Sequence, residues 1–161
     1  MNHRLKRLLL VAGVTIALDQ ITKYTAKPLL QGQGSYSYLA DTWRFVYSEN
    51  TGAFLGLGAE LSAGLRTLIF TVMVSLFLVA LTVYTLRAAL PRWHQIGAAL
   101  LLGGGIGNLI DRVLLGYVID FMNAGIGGLR TGIFNVADMA ILLGIGFMIW
   151  PVREAKTAPI E

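Results

Sequence analysis

Residues 95–115, QIGAALLLGGGIGNLIDRVLL, form an apolar run that ends on an amide, an acid and a base. As a helix, about 20 such residues cross the ~30 Å hydrocarbon core of a bilayer. Within the run, Gly104, Asn108, Asp111 and Arg112 follow i, i+4, i+7, i+8 spacing and so share one face near its C-terminal end. A carboxylate at the centre of a membrane helix costs roughly 2.5–3.5 kcal/mol. A chain that keeps one there has a use for it. Gly103, Gly104, Gly105 and Gly107 are read as packing residues, since small side chains let membrane helices approach closely.

Three further segments of similar length and character flank this one, at 8–26, 65–86 and 132–152. Arg4, Lys6 and Arg7 precede the first, Arg87 and Arg92 lie in the short link between the second and third, and Arg153 and Lys156 follow the fourth. By the positive-inside rule all three basic clusters are cytoplasmic. The expected fold is therefore an all-α membrane protein, a four-transmembrane-helix bundle with both termini cytoplasmic. It would form a single integral-membrane domain over 1–161. The first segment begins like a secretory signal, but no small-x-small cleavage site follows it, and Asp19, Gln20 and Lys23 sit where its end should be. It is expected to stay as a helix.

Composition agrees. The chain is 55% hydrophobic and 14% charged, against about 25% charged residues in soluble domains. Its mean hydropathy is +0.65. The net charge of +4 is small and its bases cluster at segment ends, so no nucleic-acid partner is expected. Without cysteine there can be no disulfide, thiol nucleophile or cysteine-type metal site. His3 and His94 both lie among basic residues at cytoplasmic ends, so neither a serine–histidine triad nor a histidine metal site is expected.

Two regions would face outward. In 28–64, Tyr36 and Tyr38 alternate, as do Trp43, Phe45 and Tyr47 after an Asp41-Thr42 turn. That is the period of a β-hairpin, and its rings suit the headgroup level. The stretch from Gly116 to Thr131 reads as a short, glycine-rich outer connection carrying Asp120.

This topology brings Asp19 and Lys23, the Asn108–Arg112 stripe, and Asn135 with Asp138 to one depth, within about two helical turns of the outer surface. Asp19 with Lys23, and Asp111 with Arg112, are most simply ion pairs that offset each other's desolvation. Asp120 and Asp138 have no basic residue within a helical turn. Two carboxyls meeting in a partly dry site share a proton, which yields one base to draw a proton from water and one acid to protonate a carbonyl. Such a pair titrates as a unit.

The assembled pattern resembles the lipoprotein signal peptidases, the signal peptidase II family of bacterial membrane aspartyl proteases. The resemblance rests on Asp19-Gln20-Ile21-Thr22-Lys23, Asn50-Thr51-Gly52-Ala53-Phe54, the run from Gly104 to Arg112, Gly116-Tyr117-Val118-Ile119-Asp120-Phe121 and Phe134-Asn135-Val136-Ala137-Asp138. It implies catalytic roles for Asp120 and Asp138, and substrate-binding or supporting roles for Asp19, Lys23, Asn50, Gly52, Asn108, Asp111, Arg112, Asn135 and Ala137. It also implies cleavage of diacylglyceryl-modified prolipoproteins before the lipidated cysteine, at the outer leaflet of the bacterial inner membrane. The enzyme would be a monomer acting among membrane lipid, without metal or cofactor, and the outer hairpin would be a cradle over the substrate. The competing readings are a small transporter or channel subunit, whose acids would spread across the membrane thickness, and a non-catalytic membrane scaffold.

Overall fold

The computed structural model describes residues 3–52, 58 and 60–151. Arg153, Lys156 and the Ala53-Phe54 part of the second motif lie outside the described residues. Helix α1 spans His3–Leu30 and is followed by strands β1 (Ser35–Tyr38) and β2 (Trp43–Asn50). A continuous rod over Ala63–Arg87 then comprises α2 (Ala63–Thr67), a π-helical stretch (Leu68–Met73) and α3 (Val74–Arg87). Helix α4 (Arg92–Leu115), strands β3 (Val118–Ile126) and β4 (Leu129–Arg130), and α5 (Val136–Ile149) complete the order.

The rod and α4 are long and apolar enough to cross a membrane, whereas α5 is a shorter apolar helix. Large apolar side chains face outward on α1 (Leu10, Val14, Leu18), α3 (Leu76, Phe77, Val79) and α5 (Leu142, Leu143). Such surface is at home in lipid and costly in water. Inside, Leu8, Leu78, Leu81, Ala98, Ala99 and Leu102 form one core where α1, α3 and α4 meet.

The α4 glycines each admit a different neighbour. A Cβ on Gly103 would lie 2.6 Å from Thr15 of α1, one on Gly104 2.5 Å from the Ala137 carbonyl of α5, and one on Gly105 2.6 Å from Leu78 of α3. On Gly107 it would lie 2.6 Å from the Asp19 carboxylate. This bears out their packing role and makes α4 the centre of the bundle.

The expected hairpin is present, with Tyr36 opposite Phe45 and Tyr38 opposite Trp43. Its turn holds Leu39, Ala40 and Asp41 at φ of 52°, 51° and 66°, a left-handed run that non-glycine residues rarely adopt. Asp41 clasps it by accepting from Ser37 Oγ at 2.6 Å and from Arg44 Nε at 2.6 Å. Arg44 holds the Asp41 carboxyl well below the usual carboxylate range.

The sheet is larger than the hairpin, however, and one expectation needs correction. The stretch from Gly116 to Thr131 is not an outer loop but supplies β3 and β4, in the order β1-β2-β3-β4. Asp120 therefore sits on a central strand, opposite Ser48. Residues 118–123 are buried on both faces, so the polar–apolar alternation that marks a half-exposed strand is missing. Gly116 at φ 82° ends α4 and turns the chain into this strand.

Candidate active site

The site lies where the C-terminal ends of α1 and α4 and the N-terminal end of α5 meet the sheet. Its frame is Lys23, a fully buried lysine. Its Nζ lies 2.8 Å from Asp19 Oδ2, 3.0 Å from Asp111 Oδ2 and 2.8 Å from Asn108 Oδ1. Burying an ammonium costs several kcal/mol unless it is paired and hydrogen-bonded, and three oxygen partners meet that need. The expected Asp19–Lys23 pair is present. The expected Asp111–Arg112 pair is not, because consecutive helical residues do not face each other. Asp111 turns to Lys23 instead, while Arg112 donates to the Gly52 carbonyl at 2.7 Å and the Asn108 carbonyl at 3.3 Å.

Each framing carboxylate also grips backbone. Asp111 Oδ2 accepts the Ile119 N–H at 3.0 Å, one residue before Asp120. Asp19 Oδ1 accepts the Ala137 N–H at 2.9 Å, one residue before Asp138. Lys23 thus ties together two clamps, one beside each aspartate left unpaired in the sequence. Gln20 completes the frame, donating to Asp19 Oδ2 at 3.2 Å, Gly107 O at 3.1 Å and Asp111 Oδ1 at 3.1 Å. Sequence reasoning gave Gln20 no role. The available signal was its place in the same turn as Asp19 and Lys23.

Asp120 and Asp138 come together around Asn135. Asn135 caps α5, its Oδ1 accepting the Asp138 N–H at 3.0 Å while Asp138 Oδ2 accepts the Asn135 N–H at 3.2 Å. This reciprocal capping box satisfies two otherwise orphaned donors. Asn135 Nδ2 also donates to Asp120 Oδ1 at 2.6 Å and Asn108 Oδ1 at 3.0 Å. Asn108 Nδ2 donates to Asp138 Oδ1 at 2.9 Å, and Asn50 Nδ2 donates to Asp120 Oδ2 at 2.9 Å. Gly52 N in turn donates to Asn50 Oδ1 at 2.9 Å. Ala137 is fully buried against Gly107 and Gly104 of α4. All eleven residues singled out in the sequence therefore belong to one connected site.

Burial pushes the Asp120 carboxyl up to about 7, with the nearby Asp138 charge adding to the rise against the lowering effect of the Asn50 and Asn135 amides. Such a group changes protonation near neutral pH, as acid–base catalysis requires. A cavity of about 280 Å³ opens onto this centre, lined by Phe70, Val74, Asn108, Arg112, Asp138 and Ile141. Arg112 also lies over the Phe70 ring, 5.7 Å from its centroid. Among the described residues, no group of histidine, cysteine and acidic side chains could hold a metal ion. The four acids gather at one end of the bundle and leave its length apolar, unlike the ladder a cation path needs.

The geometry has counterparts. Residues 11–153 match the family model described as signal peptidase (SPase) II. The chain is 36% identical over 158 residues to a lipoprotein signal peptidase of Psychromonas ingrahamii, covering 96% of this chain and 90% of that one. It is 38% identical over 140 residues to the corresponding protein of Nostoc punctiforme, covering 87% and 85%. A solved bacterial membrane enzyme superposes with a TM-score of 0.78 at 30% identity, over 88% of this chain and 84% of that one.

Proposed function

Because the chain belongs to the signal peptidase II family, we propose that Asp120 and Asp138 are the carboxyl groups with which it removes signal peptides from prolipoproteins. The observation that carries the assignment is Asn135, whose amide and backbone N–H hold one oxygen of each aspartate. Two carboxyl groups so held suffice for amide hydrolysis. The ionised one takes a proton from a water molecule as its oxygen attacks the scissile carbonyl. The protonated one gives its proton to the carbonyl oxygen, forming a tetrahedral diol. Collapse of the diol returns a proton to the leaving amine, and the pair regains its single shared proton. Asn50, Asn108 and Arg112 are positioned to orient the peptide and the dyad.

The substrate class follows from depth. A diacylglyceryl-modified cysteine is held at the leaflet surface by its acyl chains, at about 0.8 kcal/mol per buried CH₂. A dyad at the outer rim of a bundle meets a bond just before such a cysteine. We read the chain as one integral-membrane domain crossing four times, with both termini cytoplasmic and the sheet resting on the periplasmic face of the inner membrane. The basic residues at the opposite end of the bundle support that orientation.

The test is cleavage of a diacylglyceryl prolipoprotein by purified enzyme in lipid. Asp120→Asn and Asp138→Asn should each slow turnover by at least ~10³-fold, as loss of an essential catalytic group does, with the fold retained. Near-normal turnover by either folded variant would refute the dyad.

A further inference from the structure

A second cavity, of about 480 Å³, lies on the other side of β3 from the dyad, between α1 and the sheet. Ile21, Thr25 and Leu29 of α1 form one wall, Tyr38 and Phe45 the other, and Phe121 lies next in the chain to Asp120. Tyr38 and Phe45 meet edge to face with centroids 5.8 Å apart. The threonines in the wall offer no free hydroxyl hydrogen, for Thr22 Oγ1 donates to the Leu18 carbonyl at 2.8 Å and Thr25 Oγ1 to the Ile21 carbonyl at 2.8 Å. Apart from the Tyr36 and Tyr38 hydroxyls, what remains is methyl, methylene and ring surface, within the volume range that bound ligands fill.

We propose that this groove holds one acyl chain of a bilayer phospholipid from the outer leaflet. Continuity decides the occupant. On α1, Leu10, Val14, Leu18 and Ile21 are all at least half exposed and spaced four, four and three residues apart, so they form one apolar stripe. That stripe runs into the groove at Ile21 and continues along its wall to Leu29. A chain lying on the stripe enters the groove without crossing polar surface. The dyad has its own cavity between Phe70 and Ile141, so the substrate and the resident lipid occupy separate faces. A chain held here props the sheet from below and keeps β3 at a fixed height on α1. The inference rests on α1 crossing the membrane, as in the proposed topology.

Full-length enzyme in nanodiscs, made with a phospholipid carrying a photoactivatable diazirine in one acyl chain, tests this by mapping adducts with mass spectrometry. Adducts are expected on Tyr36, Tyr38 and Phe45 as well as on the Leu10–Leu18 stripe. Thr25→Trp, which fills the groove, should reduce the groove adducts severalfold, leave the stripe adducts intact and melt like the parent. Stripe adducts without groove adducts, or groove adducts indifferent to Thr25→Trp, would overturn the inference while leaving the topology standing. Loss of labelling on the stripe as well would overturn both. Preferential groove labelling by a prolipoprotein bearing the diazirine in its own diacylglyceryl group would reassign the groove to substrate, and crosslinks between two copies of the chain there would reassign it to a dimer interface.

Discussion

Asn135 serves the helix cap and the proposed dyad with one side chain. Its oxygen caps α5 and its nitrogen holds Asp120 and Asn108. An aspartate there would keep the cap but lose every bond the side chain donates, which is why an amide is needed. Asp120 beside it has a consequence for stability. Its folded carboxyl binds a proton up to about pH 7, whereas an unfolded aspartate releases its proton near about 3.9. Between those values the folded state holds more protons than the unfolded one, so this group's contribution to stability falls as pH rises, and it levels off above about 7. Melting temperatures of the parent and of Asp120→Asn, measured across that window in the same lipid, should diverge in favour of the variant as pH rises. Parallel curves would mean that burial does not hold the proton on Asp120.

At the scale of elements, the fit of α4 against α5 sets where Ala137 and Asp138 lie. The added methyl of Gly104→Ala would meet the Ala137 carbonyl at 2.5 Å and Ile141 Cγ1 at 2.8 Å. Backbone cannot swing aside, so a cost of about 1–3 kcal/mol is expected, together with a fall in kcat as Asp138 is displaced. Gly105→Ala meets the end of Leu78 at 2.6 Å, a side chain able to rotate. The gain of up to about 1 kcal/mol in helix propensity should leave it near neutral in melting temperature and turnover. Equal losses in the two variants would sink this distinction. The same scale shows what the chain discloses before folding. Tyr36, Tyr38, Trp43, Phe45 and Tyr47 announce a hairpin because one sheet face differs from the other. Val118–Asn123 conceals a strand because both faces are covered and because aspartate and asparagine are poor strand formers. The acids of the site were legible from their cost in an apolar segment. The true partner of Asp111 was not, since it lies 88 residues away on α1, and only tertiary packing brings Lys23 to it.

The whole molecule gathers its buried acids at one end and the bases Arg4, Arg7, Arg87 and Arg92, read as cytoplasmic anchors in the proposed topology, at the other. There Arg7 Nη1 donates to Gln95 Oε1 at 2.6 Å and Trp93 stacks on Phe147 with centroids 5.5 Å apart. Rings at this level match the aromatic belt of membrane proteins. A reporter enzyme fused after Glu161 should therefore be active in the cytoplasm, and an export-dependent signal from the same fusion would invert the proposed topology. The order in which the site's parts are made has a further consequence. Asp19 and Lys23 come from α1, whereas Asn135, Ala137 and Asp138 come from α5, which follows every other described element. A ribosome-bound intermediate halted before Asn135 has no Asp138, no Asn135 amide for Asp120 and no Ala137 N–H to orient Asp19. With the proposed dyad, proteolytic competence therefore arises in one event, when α5 docks, and a chain that lacks this helix is inert toward its neighbours.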